Sequence, residues 1–294
     1  MAVDFGNTTL KAALFENEEL LEVRYSLSTT ALKSWIKEIE KDATRFLKGI
    51  MISSVRKNEE VEFAFVEELQ ADLSSSSKLI IKSTSDKERV ATKDKQISVV
   101  VLDENTPLPI RNEYKTPKTL GKDRLAAVIG AYFLNEEFAY KPTLVIDAGT
   151  CITYDFINLV QNEGIYEGGS ISLGLQMRFK ALNHFTANLP LFEPQETLPT
   201  PVGKTTEGAM QSGVQFGLMA EIKGIIDFYQ KSGKEELNIV VCGGDAKLLK
   251  KWWREYTLRF TNDMYSYKEW TIEPNLVLIG LQRIFQFIKN NEDN

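Results

Sequence analysis

The chain has 294 residues, of which 43% are hydrophobic and 26% charged, which supplies a sizeable core and excludes disorder as the main state. Lys and Arg number 35 against 41 Asp and Glu, a formal net charge of −6 that speaks against nucleic acid as the main partner, since phosphate backbones demand clustered cations. Two cysteines and one histidine exclude a disulfide framework, a Cys-based zinc site and a His-centred triad.

The first ten residues read as a strand running into a glycine turn, without the basic flank or long apolar stretch of a signal peptide. No run approaches the ~18 apolar residues of a membrane helix, so no membrane partner is expected and the expected location is cytoplasmic. Met1 to Phe5 forms a short strand that breaks at Gly6-Asn7. Leu10, Ala12 and Leu14 then alternate with Lys11 and Ala13 as a second strand, and Leu20–Leu27 reads as a third, which makes an antiparallel meander. Helical spacing over 30–47 stops at Gly49, a buried strand covers Ile50–Val55, and a helix over about 59–73 leads to a weaker strand at Leu79–Lys82. The polar stretch 83–119 carries Pro107, Pro109 and Pro117, yet the apolar run Ile97–Leu102 inside it points to ordered structure. Leu120–Leu134 reads as a helix whose first turn holds Gly121-Lys122-Asp123-Arg124.

The second half repeats the opening theme. Pro142–Thr150 is an apolar strand closing on Asp147-Ala148-Gly149-Thr150, followed by strands at 151–158 and 165–173 and helical stretches at about 174–185 and 205–231. A buried strand, Asn238–Cys242, ends at Gly243-Gly244-Asp245; a helix with Leu248, Leu249 and Trp252, a strand near Trp270 and an apolar helix over Leu276–Ile288 close the chain. The two Asp-x-Gly strand ends stand about half the chain apart. That spacing predicts two copies of one unit, each a meander followed by helix–strand alternation, facing each other across a cleft that divides at about 119/120.

Asp-x-Gly-Asn-Thr at a tight strand turn offers particular chemistry. Gly6 lets backbone approach an anion because no Cβ intervenes. The amides of Gly6 to Thr9 and the hydroxyls of Thr8 and Thr9 can donate to phosphate oxygens. Asp4 can hold a hydrated magnesium, which prefers one or two carboxylates plus water and phosphate, and Lys11 supplies a positive charge to the same phosphates. The bland reading is a hairpin turn with Asp4 capping amides, and for a single motif it would win. The second copy changes the balance: Thr150 suits a phosphate and Asp147 a cation.

At the start of the helix, Asp123 either caps amides or accepts a proton from a substrate hydroxyl, with Arg124 gripping a carboxylate through its two-pronged donor face. Gly243-Gly244-Asp245 serves equally as a strand-to-helix turn or as a surface against adenosine. Cys151 and Cys242 read as small core residues, His184 as a surface or packing residue, and one of Trp252 and Trp253 as packed inward on a basic helix.

Taken together, Asp4-Phe5-Gly6-Asn7-Thr8, Gly121-Lys122-Asp123-Arg124 and Asp147-Ala148-Gly149-Thr150 resemble, in order, the three signature motifs of type III pantothenate kinases. Ile52-Ser53-Ser54-Val55, Tyr114, Gly203-Lys204-Thr205-Thr206, Gln211-Ser212-Gly213 and Glu273-Pro274-Asn275-Leu276-Val277-Leu278 extend the likeness over nearly the whole chain. The resemblance implies an α/β fold of the acetate-kinase, sugar-kinase, Hsp70 and actin superfamily. Its two duplicated ribonuclease-H-like domains, residues 1–119 and 120–294, would each carry a mixed five-stranded sheet flanked by helices. It implies ATP- and magnesium-dependent phosphorylation of pantothenate, the first step of coenzyme A synthesis. Asp4, Phe5, Gly6, Asn7, Thr8, Thr9, Leu10 and Lys11 would hold the ATP phosphates and magnesium, and Thr150 would contact ATP. Asp123 would be the proton acceptor, within a pantothenate pocket lined by Tyr114, Gly121, Lys122, Asp123 and Arg124. Asp147 would bind potassium or ammonium, and Thr206 would complete the pantothenate site across a homodimer interface. The departure is Lys122, a long side chain where relatives often carry a small one.

Overall fold

The computed structural model describes residues 1–6, 8–42, 47–54, 60–73, 78–82, 96–134, 141–231, 237–260 and 269–292. Asn7, Val55 and the polar stretch 83–95 lie outside the described residues. By packing, the chain divides into two compact units: Met1–Leu134 with Leu276–Asn294, and Asn135–Asn275.

In the first unit, β1 (Ala2–Phe5) is buried along its whole length, the mark of a central strand. It pairs antiparallel with β2 (Leu10–Glu16) on one side and parallel with β4 (Gly49–Ser54) on the other. The half-exposed β3 (Glu19–Leu27) pairs antiparallel with β2 at the edge, which completes the meander read from the sequence. Helix α1 (Thr29–Lys41) starts where Ser28 Oγ accepts the Ala31 N–H at 3.1 Å, and it buries Leu32, Trp35, Ile36 and Ile39 at helical spacing. After α2 (Glu60–Leu73), β5 (Lys78–Lys82) and β6 (Gln96–Val101) run parallel to β4 in the order β3-β2-β1-β4-β6-β5. This sheet has six strands where five were expected, because β6 inserts between β4 and β5.

The short β7 (Arg111–Asn112) and a 3-10 turn at Pro117–Thr119 lead into α3 (Lys122–Tyr132), and α8 (Leu276–Glu292) returns from the far end of the chain to pack on α3. Glycine makes that crossing close: a Cβ on Gly280 would fall 1.8 Å from the Ala126 carbonyl oxygen, and one on Gly130 would fall 2.2 Å from that of Leu276. By packing, α3 and α8 therefore belong with the first unit, whereas the sequence division at 119/120 grouped them with the second half.

In the second unit, β8 (Thr143–Ala148) takes the central place of β1. It pairs antiparallel with β9 (Cys151–Val160), which pairs antiparallel with β10 (Glu163–Leu173); on its other side it pairs parallel with β11 (Asn238–Cys242). A two-residue β12 (Thr271–Ile272) continues the parallel side. Both units thus place a meander on one side of a central strand and parallel strands on the other, the duplication expected from the spaced motifs. Helices α4 (Leu175–His184), α5 (Thr206–Gln211), α6 (Gly217–Lys231) and α7 (Ala246–Phe260) flank the sheet, with a π-helical turn at Ser212–Phe216 between α5 and α6.

Two side chains differ from expectation here, the second tryptophan of the pair and Cys151. Trp252 and Trp253 are both buried, since Trp253 stacks on Trp270 at 5.0 Å while Trp252 enters the same core. Cys151 is exposed, because it opens β9 at the mouth of the turn rather than continuing its apolar run. No helix among the described residues is long and apolar enough to cross a membrane.

Candidate active site

Asp4 sits one residue before the end of β1 and is 5% exposed. Its cross-strand neighbours are Lys11 on β2 and Ser53 on β4, each directly opposite in register and so on the same face of the sheet. Ser53 Oγ donates to Asp4 Oδ1 at 2.8 Å. Burial pushes the Asp4 carboxyl up to about 6 and the charge of Asp123 adds to the rise, while the Ser53 hydrogen bond and the Lys11 charge oppose it. Asp123, from the first turn of α3, is therefore close enough to act electrostatically on Asp4. The other oxygen, Oδ2, lies on the side of Gly6, whose absent Cβ would stand 3.8 Å from it.

The turn after Asp4 is closed by the Gly6 N–H donating to the Thr9 carbonyl at 3.1 Å. That amide is committed within the turn; Thr8 is exposed and Thr9 half-buried. Phe5 and Leu10 are core residues: Phe5 packs edge-on against Phe65 at 5.7 Å, and Leu10 joins the same cluster. Of the eight expected nucleotide-binding positions, these two can contribute only backbone. Asn7 lies outside the described residues.

At the start of α3, Gly121 is the N-cap and supplies no side chain. Asp123 Oδ1 accepts the Arg124 N–H at 2.8 Å and curls over Gly121, where a Cβ would stand 2.6 Å from it. The capping role expected of Asp123 is thus met at the Arg124 amide. Arg124 is buried to 6% exposure, its guanidinium centre 5.6 Å from the Tyr114 ring, and the Tyr114 N–H is anchored on Asn112 Oδ1 at 3.0 Å. Lys122 is half-buried at the first position of the helix. The structure thus gathers Tyr114, Gly121, Asp123 and Arg124 at one end of α3, with Asp123 reaching the field of Asp4.

In the second unit Asp147 occupies the place of Asp4, half-buried one residue before the end of β8. Its register partners are Thr153 on β9 and Cys242 on β11. The Gly149 N–H donates to the Cys151 carbonyl at 3.0 Å, the Gly174 N–H to the Thr150 carbonyl at 3.2 Å, and the Asp245 N–H to the Ala148 carbonyl at 3.0 Å. Gly243, with φ of 88°, lies so close that a Cβ would meet the Ala148 carbonyl oxygen at 2.3 Å and Asp147 Oδ1 at 2.5 Å. Thr150 is exposed at the tip, and burial raises the Asp245 carboxyl above its ordinary range. Thr206, also exposed, opens α5, whose N-cap Thr205 accepts the Gly208 N–H at 3.0 Å.

Sequence reasoning passed over Ser53 and the approach of Gly174 and Gly243 to the second turn. A serine ending the buried run Gly-Ile-Met-Ile was the available signal for Ser53.

The donor set suits magnesium, which takes one or two carboxylates with water and phosphate: Asp4 Oδ1 is held by Ser53 and Oδ2 lies on the Gly6 side. For a monovalent ion, Asp147 is accompanied by the buried Thr153 Oγ1, which takes no hydrogen-bond partner among the described residues.

Comparison with known proteins identifies the family. The sequence model of type III pantothenate kinase matches residues 1–227. A type III pantothenate kinase of Christiangramia forsetii is 35% identical over 289 residues, covering 98% of each chain. Another from Flavobacterium johnsoniae is 34% identical over 297 residues, covering 99% of each chain. One from Bacteroides fragilis is 39% identical over 245 residues, 83% of this chain and 85% of its own. Among solved structures, a Listeria monocytogenes protein described as a candidate N-acetylmannosamine kinase has a TM-score of 0.50 at 13% identity, covering 100% of this chain and 99% of its own, a likeness of fold alone. With the family matched over most of its length and relatives aligning from end to end, the chain belongs to the type III pantothenate kinase family and is a phosphotransferase.

Proposed function

We propose that this protein transfers a phosphoryl group from ATP to the hydroxyl of pantothenate, giving 4'-phosphopantothenate in the first step of coenzyme A synthesis. Family membership supports the reaction. The observation that carries the residue assignment is the meeting of Asp4, Lys11 and Asp123 in one electrostatic neighbourhood within the first unit.

In this reading the Thr8–Thr9 part of the first turn donates to the phosphates and Lys11 offsets their charge. Asp4 Oδ2 holds magnesium, which when bound neutralises charge building on the phosphate oxygens. Phosphoryl transfer passes through a loose transition state in most analyses, so positioning and charge neutralisation carry most of the work. An ordinary Asp has a pKa of ~3.9, too weak a base to ionise an alcohol in advance. Asp123 therefore orients the pantothenate hydroxyl and takes its proton late, as the bond to phosphorus forms.

Arg124, held beside Tyr114, grips the pantothenate carboxylate, and Lys122 with Gly121 shapes the pocket. Thr150 contributes a hydroxyl to the nucleotide, and Asp147 with Thr153 holds potassium or ammonium. Thr206 completes the pantothenate site from a second copy of the chain in a cytoplasmic homodimer. The test is a substrate screen by coupled ADP release with magnesium and potassium present. Turnover with pantothenate and none with sugars or short carboxylic acids is the expected result; turnover confined to another acceptor would refute the reading.

A further inference from the structure

Ser53 has no place in any of the roles above, and its setting is specific. It is fully buried, at the end of a strand whose preceding residues are apolar, directly opposite Asp4 across the parallel β1–β4 pair. Its hydroxyl donates to Asp4 Oδ1 at 2.8 Å, and no other described residue hydrogen-bonds to that carboxylate. A hydrogen bond at one oxygen fixes the rotation of the carboxylate, and Oδ2 is the oxygen on the Gly6 side. The fold itself does not require a hydroxyl there. At the same register position beside Asp147 the second unit places Cys242, a much weaker donor.

We propose that Ser53 is a positioning residue of the phosphoryl-transfer site: its hydroxyl fixes the rotation of the Asp4 carboxylate so that Oδ2 faces the magnesium–phosphate group at the Gly6 turn. The inference rests on the assignment of Asp4 to magnesium made under the proposed function. Removing the hydroxyl leaves Asp4 in place but free to rotate, so the loss falls on magnesium-dependent nucleotide binding and not on nucleotide binding in general.

The test is calorimetric titration of the whole protein with a non-hydrolysable ATP analogue, with and without magnesium. It compares the wild type with Ser53→Ala, Ser53→Cys, Asp4→Asn and the Ser53→Ala/Asp4→Asn double variant. Cysteine is included because the equivalent junction of the second unit already accommodates it. Expected is a drop of about tenfold in the affinity gained from magnesium for both Ser53 variants, with magnesium-free affinity within about twofold of wild type. In the Asp4→Asn background the serine change should add nothing, because the two act through one carboxylate. An undiminished magnesium gain, an equal loss with and without magnesium, or a further loss in the Asp4→Asn background would overturn the proposal. A protein that shows the magnesium effect but does not phosphorylate pantothenate would refute the substrate reading and leave the Ser53 inference standing.

Discussion

At the end of β1, Asp4 faces Lys11 across the antiparallel pair and Ser53 across the parallel pair; at the end of β8, Asp147 faces Thr153 and Cys242 at the same two positions. The backbone plan is shared and the chemistry is not. The first turn surrounds a deeply buried carboxylate with a cation, a hydroxyl donor and a second carboxylate from α3, an arrangement suited to a highly charged phosphate ligand. The second turn offers a half-buried carboxylate, a hydroxyl with no hydrogen-bond partner among the described residues and a thiol, with Gly243 pressed against its backbone. Duplication supplied the geometry, and two register positions per copy set the chemical surroundings of each carboxylate.

The largest effect should come from the first unit. Asp123→Asn is expected to lower kcat by about 10²–10⁴-fold, read by coupled ADP release, with the folded circular dichroism spectrum unchanged. Undiminished turnover would move the chemistry away from this turn. Next, Asp147→Asn should remove activation by potassium while leaving the response to magnesium, and Asp4→Asn should do the reverse; titration of each ion against each variant reads the division of labour. A variant that loses both responses equally would erase the contrast between the turns.

A third test concerns backbone. Gly243 combines a positive φ with a position where a Cβ would fall 2.3 Å from the Ala148 carbonyl oxygen, whereas a Cβ on Gly6 would meet the Thr9 carbonyl oxygen at 2.9 Å. Gly243→Ala should therefore cost about 1–3 kcal/mol in urea unfolding, and Gly6→Ala less. Equal costs would show that the second turn is no tighter than the first. The smallest effect is expected of Lys122→Ala, which should shift KM for pantothenate a few-fold with kcat nearly unchanged, because the half-buried side chain shapes the pocket without joining the transfer.

Much of this arrangement was legible in the sequence, because the strand ends, the glycine turns and the Gly-Lys-Asp-Arg helix start are local patterns. What could not be read depends on register between distant segments. Ser53 meets Asp4 only because β4 runs parallel to β1 with no slip, a matter of pairing over 49 residues. The return of α8 onto α3 through Gly130 and Gly280 is likewise invisible to periodicity, and so the packing units differ from the halves read from the motifs. The eight-residue phosphate motif also hid an alternation: Phe5 and Leu10 fall on the core face, and neither their apolar character nor the motif itself says which face the ligand takes.

Phosphorylation of pantothenate with Asp123 as the proton acceptor is tested by phosphorus NMR of a mixture of protein, ATP, magnesium, potassium and pantothenate, run for the wild type and for Asp123→Asn. Expected are ADP and a phosphate monoester resonance that appear only when pantothenate is present, and no more than a trace of either with the variant over the same time. ADP release independent of pantothenate, or an equal monoester signal from Asp123→Asn, would contradict it.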